Sequence, residues 1–343
     1  MPNPTSSDVH VNVPLTNISI AFMQNPAGFV ADQVFPNIPV GKQADRYFVY
    51  SRADFNRNTM RRRAPSTETA GAGWRIDSTP NYFCDVWGLH KDIDDGLRAN
   101  QDAPIQMDRD ATMFLAQQGL INREVNWAAA YFTTGIWTGA GVDVTGVSAS
   151  PAGNSVFQWS DATNATPVQD VKFYNDKIHL GTGFRANKLV MGRQVWTKLS
   201  DHPTITDRIK YGASPNAPAI ITKQAVAALM EIDQILVMDA IQNTGAESDS
   251  ENTAGTVNAG ESNAFIGGKS ALLVYAAPSP SILVPSGGYS FSWTGYTGAG
   301  PLGQRISTIR MEPIKSDRVE IEMAYTQKLV ASECGVFFTS IVS

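Results

Sequence analysis

Apolar and polar positions fall into distinct regimes along this 343-residue chain. Residues 1–40 are punctuated by Pro2, Pro4, Pro14, Pro26, Pro36 and Pro39, with isolated apolar residues and no sustained period, which predicts an extended arm. Residues 44–56 and 74–90 are rich in aromatic and β-branched side chains, and the Gly, Pro, Ser and Thr between them supply a tip; together they predict a long two-stranded hairpin. Next, Met107, Ala111, Phe114, Ile121, Val125, Ala128 and Phe132 recur at three-to-four-residue steps, broken only by Gln118. That spacing predicts a helix over about 104–134 whose apolar stripe enters the core, with Asp102 and Pro104 as start signals and Gly135 as the stop.

Beyond a Gly/Ser/Asn-rich connector at 139–165, Thr166-Pro167-Val168-Gln169 has the form of a capping box with proline at the first helical position, and the helix it opens should end near Gly181 and Gly183. Short alternating elements follow: strands at Lys188–Met191 and Ile235–Met238, helices at Gln194–Leu199 and Lys223–Met230. The apolar run Ala271–Ala277 predicts a buried strand, and the alternation Val319-Glu320-Ile321-Glu322-Met323-Ala324-Tyr325 a half-exposed one. The fold class is α+β, with mixed α/β character in the middle of the chain.

Composition alters this picture little, but charge alters it considerably. The net charge is -5, which argues against tight, sequence-reading nucleic-acid binding. Locally the signs separate: residues 42–75 hold eight basic and three acidic residues, 92–110 hold six Asp against Arg98 and Arg109, and 231–261 hold seven acidic residues and no basic one. An isolated hairpin is marginal in water, so a long basic arm needs a surface to lie on, and a neighbouring subunit is the natural one. Arg57, Arg61, Arg62, Arg63, Glu68 and Trp74 are the expected inter-subunit contacts, and Asp92, Asp94 and Asp95 read as a solvated acidic turn or a docking patch for arginines of another subunit. The N-terminus has no signal-peptide pattern and no run reaches membrane-spanning length, so the expectation is a soluble chain made in the cytoplasm. On that route the sequons at Asn17 and Asn164 carry no weight.

No catalytic, cofactor or metal site emerges. Gly267-Gly268-Lys269-Ser270 ends like a phosphate-binding loop, but Asn263 stands where the first glycine belongs and a strand follows instead of a helix. The run at Asp92–Asp95 lacks further ligands for a divalent cation. His10, His90, His179 and His202 are scattered without ligand spacing, and Cys84 and Cys334 read as buried or reduced thiols, a mutual disulfide being the alternative.

The order of elements, together with Ala31-Asp32-Gln33-Val34-Phe35-Pro36, Tyr47-Phe48-Val49-Tyr50, Arg62-Arg63-Ala64-Pro65, His90-Lys91-Asp92-Ile93-Asp94-Asp95, Met107-Asp108-Arg109-Asp110-Ala111 and Asn126-Trp127-Ala128-Ala129, resembles the major capsid proteins of tailed bacteriophages with the Hong Kong 97-type fold. The resemblance implies an N-terminal arm at 1–40, an extended β-hairpin loop at 41–90, a peripheral domain at 91–165 with the long spine helix, an axial α/β domain at 166–304, and C-terminal strands at 305–343 that rejoin the peripheral domain. It further implies hexameric and pentameric capsomers of an icosahedral shell around double-stranded DNA, touched only non-specifically, and assembly in the host bacterial cytoplasm into a virion. A separate scaffolding protein, or a scaffolding segment already removed, a portal and a decoration protein would be partners. An encapsulin-like compartment shell is the alternative. The loop has no lysine between 43 and 90, so the self-crosslinking of one family member does not carry over.

Overall fold

The computed structural model describes residues 23–101, 105–212, 221–245, 262–279, 284–297 and 302–343. Two sheets organise it. A six-stranded sheet runs Gln234–Met238, Lys188–Gly192, Ala271–Val274, Gly335–Thr339, Val144–Val147 and Ser155–Phe157 in spatial order. Its central strands are buried on both faces, which is why they read as continuous apolar runs rather than alternating ones. One face (Leu189, Met191, Ile235, Val237, Ala271, Leu273, Phe338) packs under the helices Pro167–Thr182 and Lys223–Met230. The other (Val190, Leu236, Met238, Leu272, Val274, Phe337) meets Val30, Val34 and Phe35 of the N-terminal stretch and Trp127 and Phe132 at the end of the long helix. Gly335 is required here, since a Cβ at that position would lie 2.2 Å from the Trp137 ring.

The second sheet has five strands. Ser316–Leu329 forms its spine, paired antiparallel to Asp85–Asp94 on one side and to Gln304–Met311 and Gly288–Trp293 on the other, with Asn37–Val40 added parallel to Gly288–Trp293. The alternation read at 319–325 holds: Val319, Ile321, Met323 and Tyr325 are buried, and with Ile93 they receive Ala111 and Leu115 of the long helix.

That helix, Met107–Tyr131, is 25 residues long and starts later than expected; of the predicted stripe, Ala111 and Phe132 are buried and Met107 and Ala128 pack against the core. Ala111, Leu115, Gly119, Arg123 and Trp127 are buried, whereas Phe114, expected in the core, is 45% exposed. The helix approaches the sheet closely. At Gly119 a Cβ would already stand 3.0 Å from the Met323 Sδ, so that turn of the helix has no room for a bulky side chain against the sheet. Residues 102–104, which hold the expected start signals, lie outside the described residues. Thr166 does precede Pro167 at the helix start, but its side chain makes no cap hydrogen bond and reaches Asp170 Oδ1 at 3.3 Å instead.

Strand pairing crosses the boundaries read from the sequence. Val144–Val147, Ser155–Phe157 and the C-terminal Gly335–Thr339 enter the six-stranded sheet, and Gly288–Trp293 enters the five-stranded one. The C-terminus therefore spans both units: Gln304–Met311 and Ser316–Leu329 stay with the long helix, and the last strand does not.

Candidate functional site

The expected long hairpin is two short ladders. Ala44–Arg46 pairs with Asn81–Phe83 and Val49–Tyr50 with Ile76–Asp77, while the return strand Asp85–Asp94 leaves its partner for the five-stranded sheet. The base is anchored by aromatic stacking. Tyr82 lies on Phe291 with ring centroids 4.5 Å apart, and Tyr47 reaches the same ring at 5.9 Å. Beyond the second ladder, the helix Arg52–Phe55 places Phe55 against Tyr50 and near Trp74, at 5.7 and 6.4 Å. Arg75 closes this part by donating to Asp54.

From 55 to 79 every residue is exposed. Met60 is 91% and Trp74 63% exposed, beside Arg57, Arg61, Arg62, Arg63 and Glu68. None of those four arginines has an ion-pair partner among the described residues; Arg63 donates to the Thr67 carbonyl at 2.6 Å. Guanidinium groups interleaved with exposed aromatic and methionine side chains are the composition of a protein contact surface.

The acidic run meets arginines of its own chain. Arg318 donates two hydrogen bonds to Asp92, at 2.8 and 2.9 Å, and Arg310 two to Asp95, at 2.7 and 2.6 Å. Arg310 also reaches Asp317, and Arg98 joins Asp317 to Asp108 across the start of the long helix. Hydrogen bonds from these arginines hold Asp92, Asp95 and Asp317 below the usual carboxylate range. Asp94 instead caps the helix Asp95–Ala99, accepting from Gly96 and Leu97. Sequence spacing could not reveal these pairs, because strand register brings together residues more than two hundred positions apart.

A polar knot inside the core was not anticipated either. Arg123 is buried, pairs with Asp32, donates to the Leu302 carbonyl at 3.3 Å and lies 4.6 Å above the Tyr325 ring. Beside it, Glu124 accepts from the backbone N–H groups of Val30 and Ala31 at 2.9 and 2.8 Å, which fixes the N-terminal stretch to the long helix. Burial pushes its carboxyl up to about 7 against those hydrogen bonds. The signal was present in the sequence as an Arg-Glu pair in the middle of an otherwise apolar helix face.

Among the described residues no catalytic constellation forms at the positions weighed in the sequence. Gly267 serves close packing, as its Cβ would lie 2.8 Å from Gly192 Cα, Gly268 holds a positive φ of 49°, and the strand Ala271–Val274 follows. His202 is buried and bonded to Thr204 and to the Asp161 carbonyl; His90 stands 4.0 Å from Asp92; His179 lies in the last turn of its helix; His10 is outside the described residues. Cys84 and Cys334 are buried free thiols, and burial pushes them up to about 11 and about 12. Among the described residues no cluster of His, Cys, Asp or Glu could hold a metal, and no helix is long and apolar enough to cross a membrane.

Residues 153–281 match the family described as phage major capsid protein E. No curated protein matches the chain. Among solved structures, a phage-related protein from Bordetella bronchiseptica superposes with a TM-score of 0.64 at 19% identity, over 92% of each chain. The capsid of the cyanophage P-SCSP1u gives 0.60 at 9% identity over 98% of this chain and 94% of that one. The fold is the Hong Kong 97-type capsid fold. A holo-SrpI encapsulin complex from Synechococcus elongatus shares it, with a TM-score of 0.54 at 9% identity over 97% and 93% of the two chains. The matched residues 153–281 include four of the six strands of the six-stranded sheet.

Proposed function

We propose that this chain is the major capsid protein of a tailed bacteriophage, a structural subunit and not an enzyme, that self-associates into hexameric and pentameric capsomers of an icosahedral shell around double-stranded DNA. The family match and the shared fold support a major capsid protein. The observation that carries the assembly role is the exposed tip at 55–79, where none of the described residues covers the arginines, Met60 and Trp74. Arg57, Arg61, Arg62, Arg63, Glu68 and Trp74 are assigned to contacts with a neighbouring subunit. Asp92 and Asp95 contribute to such contacts as members of a network already organised by Arg318 and Arg310, with Asp94 as its helix cap. Many weak contacts, closed by symmetry, hold a container that no single one could.

Scaffolding and portal proteins, and a decoration protein, complete the assembly in this reading, which takes place in the bacterial cytoplasm and ends in the virion. Contact with the packaged genome is sparse and made to phosphates, as the acidic net charge requires. The likeness to an encapsulin supports a second reading, a compartment shell that holds proteins instead of a genome. Electron cryomicroscopy of particles from cells making this chain, followed by nuclease treatment of their contents, tests both. Closed shells of fivefold and sixfold capsomers are expected; nuclease-resistant DNA supports the phage, protein cargo the compartment, and a monomer under all conditions overturns either.

A further inference from the structure

The outward face of the five-stranded sheet is covered at one end and open at the other. Along Ser316–Leu329, Glu320, Glu322, Ala324 and Thr326 share the face opposite Val319, Ile321, Met323 and Tyr325, which meet the long helix. Phe291 stands in register with Thr326, and the loop base covers that end through Tyr82 and Tyr47. At the open end Glu320 stands in register with His90 and Ser307, and Glu322 with Gly88 and Arg305, flanked by the exposed side chains of Val86 and Ile309. Gly88 leaves bare backbone beside the two glutamates: a Cβ there would find only the Ile321 carbonyl, at 3.8 Å, and Glu320 Oε1, at 4.0 Å. Among the described residues the Glu320 carboxylate is in no ion pair or hydrogen bond, and that of Glu322 accepts only from the Tyr296 hydroxyl, at 3.4 Å.

These carboxylates answer the guanidinium groups of the loop. Arg57, Arg61, Arg62 and Arg63 are in no ion pair among the described residues, and every residue from 55 to 79 is exposed, so the tip does not cover the face of its own copy. We propose that the tip of one copy docks on the open end of this face in a second copy, bringing Arg61, Arg62 and Arg63 to Glu320 and Glu322, and Glu68 to Arg305. Met60 and Trp74 then meet apolar surface at Val86, Ile309 and the bare backbone of Gly88. The covered end already shows the mode of contact, since loop aromatics lie there on this same face. Each exposed charge pair is weak and screened by salt, so the pairs act together and set the register of docking more than its strength. Given the shell-subunit reading on which it rests, the contact joins unlike surfaces, and so passes from copy to copy until a ring closes.

The test exchanges the charges in the full chain and follows shell yield by sedimentation. Arg61→Glu, Arg62→Glu and Arg63→Glu together, or Glu320→Arg with Glu322→Arg, should abolish shells while the circular dichroism of the unassembled subunit stays unchanged. All five substitutions together should restore shells to at least about tenfold the yield of either set, because the exchange restores complementarity. Five substitutions that assemble no better than either set overturn the proposal. Normal shells from the reversed glutamates, with the reversed tip defective, overturn it and leave the shell reading standing; an unaltered chain that stays monomeric overturns both. A second measurement covers a reversed face that fails to fold: shells from an equal mixture of Arg62→Cys and Glu320→Cys chains are mildly oxidised, the native thiols being buried. Disulfide-linked dimers of the two chains are expected, and their absence overturns the proposal.

Discussion

The loop tip and the acidic corner contain the same chemistry and use it in opposite ways. At the corner, Arg98, Arg310 and Arg318 sit on ordered strands and a capped helix, and strand register delivers each one to a carboxylate of its own chain. At the tip, Arg57, Arg61, Arg62 and Arg63 stand on backbone without regular structure, exposed, among Met60 and Trp74. At the corner secondary structure fixes each arginine's partner, and at the tip it fixes none among the described residues. The long helix repeats the division: Leu115 faces the sheet, while Phe114, one position earlier, faces away.

The sharpest way to break this comparison is to replace Arg61, Arg62 and Arg63 together with Ser. The tip contributes nothing to the subunit's core, so the melting temperature and circular dichroism of the unassembled subunit should not move. Shell assembly, followed by light scattering or electron microscopy, should fail. Normal shells from the triple variant would show that the tip is merely a solvated charge run.

The two helix faces give the next largest contrast. Leu115→Ala removes a fully buried side chain and should cost about 2–5 kcal/mol in urea unfolding of the subunit. Phe114→Ala should cost less than about 1 kcal/mol, as expected of a surface position. Equal costs would mean that the inward face has been assigned wrongly.

Element order, the buried apolar strands and the spine strand at 316–329 were legible in the sequence because each rests on local periodicity: 319, 321, 323 and 325 alternate, and 271–274 is continuous. The helix existed as predicted and its stripe is core at Ala111 and Phe132, but Phe114 faces outward, since period alone cannot tell which of two neighbouring apolar positions the sheet will accept. That choice depends on Gly119 and Ala111, whose value is smallness rather than hydrophobicity. The sheet memberships of 144–157, 288–293 and 335–339 are non-local pairings, outside the reach of any window. At the candidate site, the concentration of charge at the tip was visible from residue types, but the internal use of Asp92 and Asp95 was not, because their arginines lie on strands remote in sequence.

Glu124 sharpens the comparison from inside the core, where an acid is held by backbone amides rather than by arginine. Its carboxyl is raised from 4.5 to about 7 by burial, so the folded state favours the protonated form. Its contribution to stability is therefore greatest below about 4.5 and is lost as pH rises through about 7. Glu124→Gln has nothing to titrate, and the difference in unfolding free energy between the two proteins should change by on the order of 1–3 kcal/mol across that window. A constant difference from pH 4.5 to pH 7 would show that Glu124 titrates alike in the folded and unfolded chain.

The smallest effect belongs to the corner itself, and it runs with the opposite sign. Asp92, Asp95 and Asp317 are lowered by their arginines, so their stabilisation is present above the ordinary carboxylate value and disappears as pH falls through their folded values. These pairs are solvent-accessible, and salt should weaken them as it weakens any exposed ion pair. Urea midpoints of the unassembled subunit should fall below about pH 4, and the fall should shrink in Arg318→Ala, which leaves Asp92 without its two hydrogen bonds. The triple Ser variant of the tip should follow the unaltered chain throughout that acid scan. If the tip variant instead lost acid sensitivity and the Arg318 variant kept it, the arginines at 61–63 would be answering carboxylates of their own subunit, and the division between structural and assembly arginines would fail.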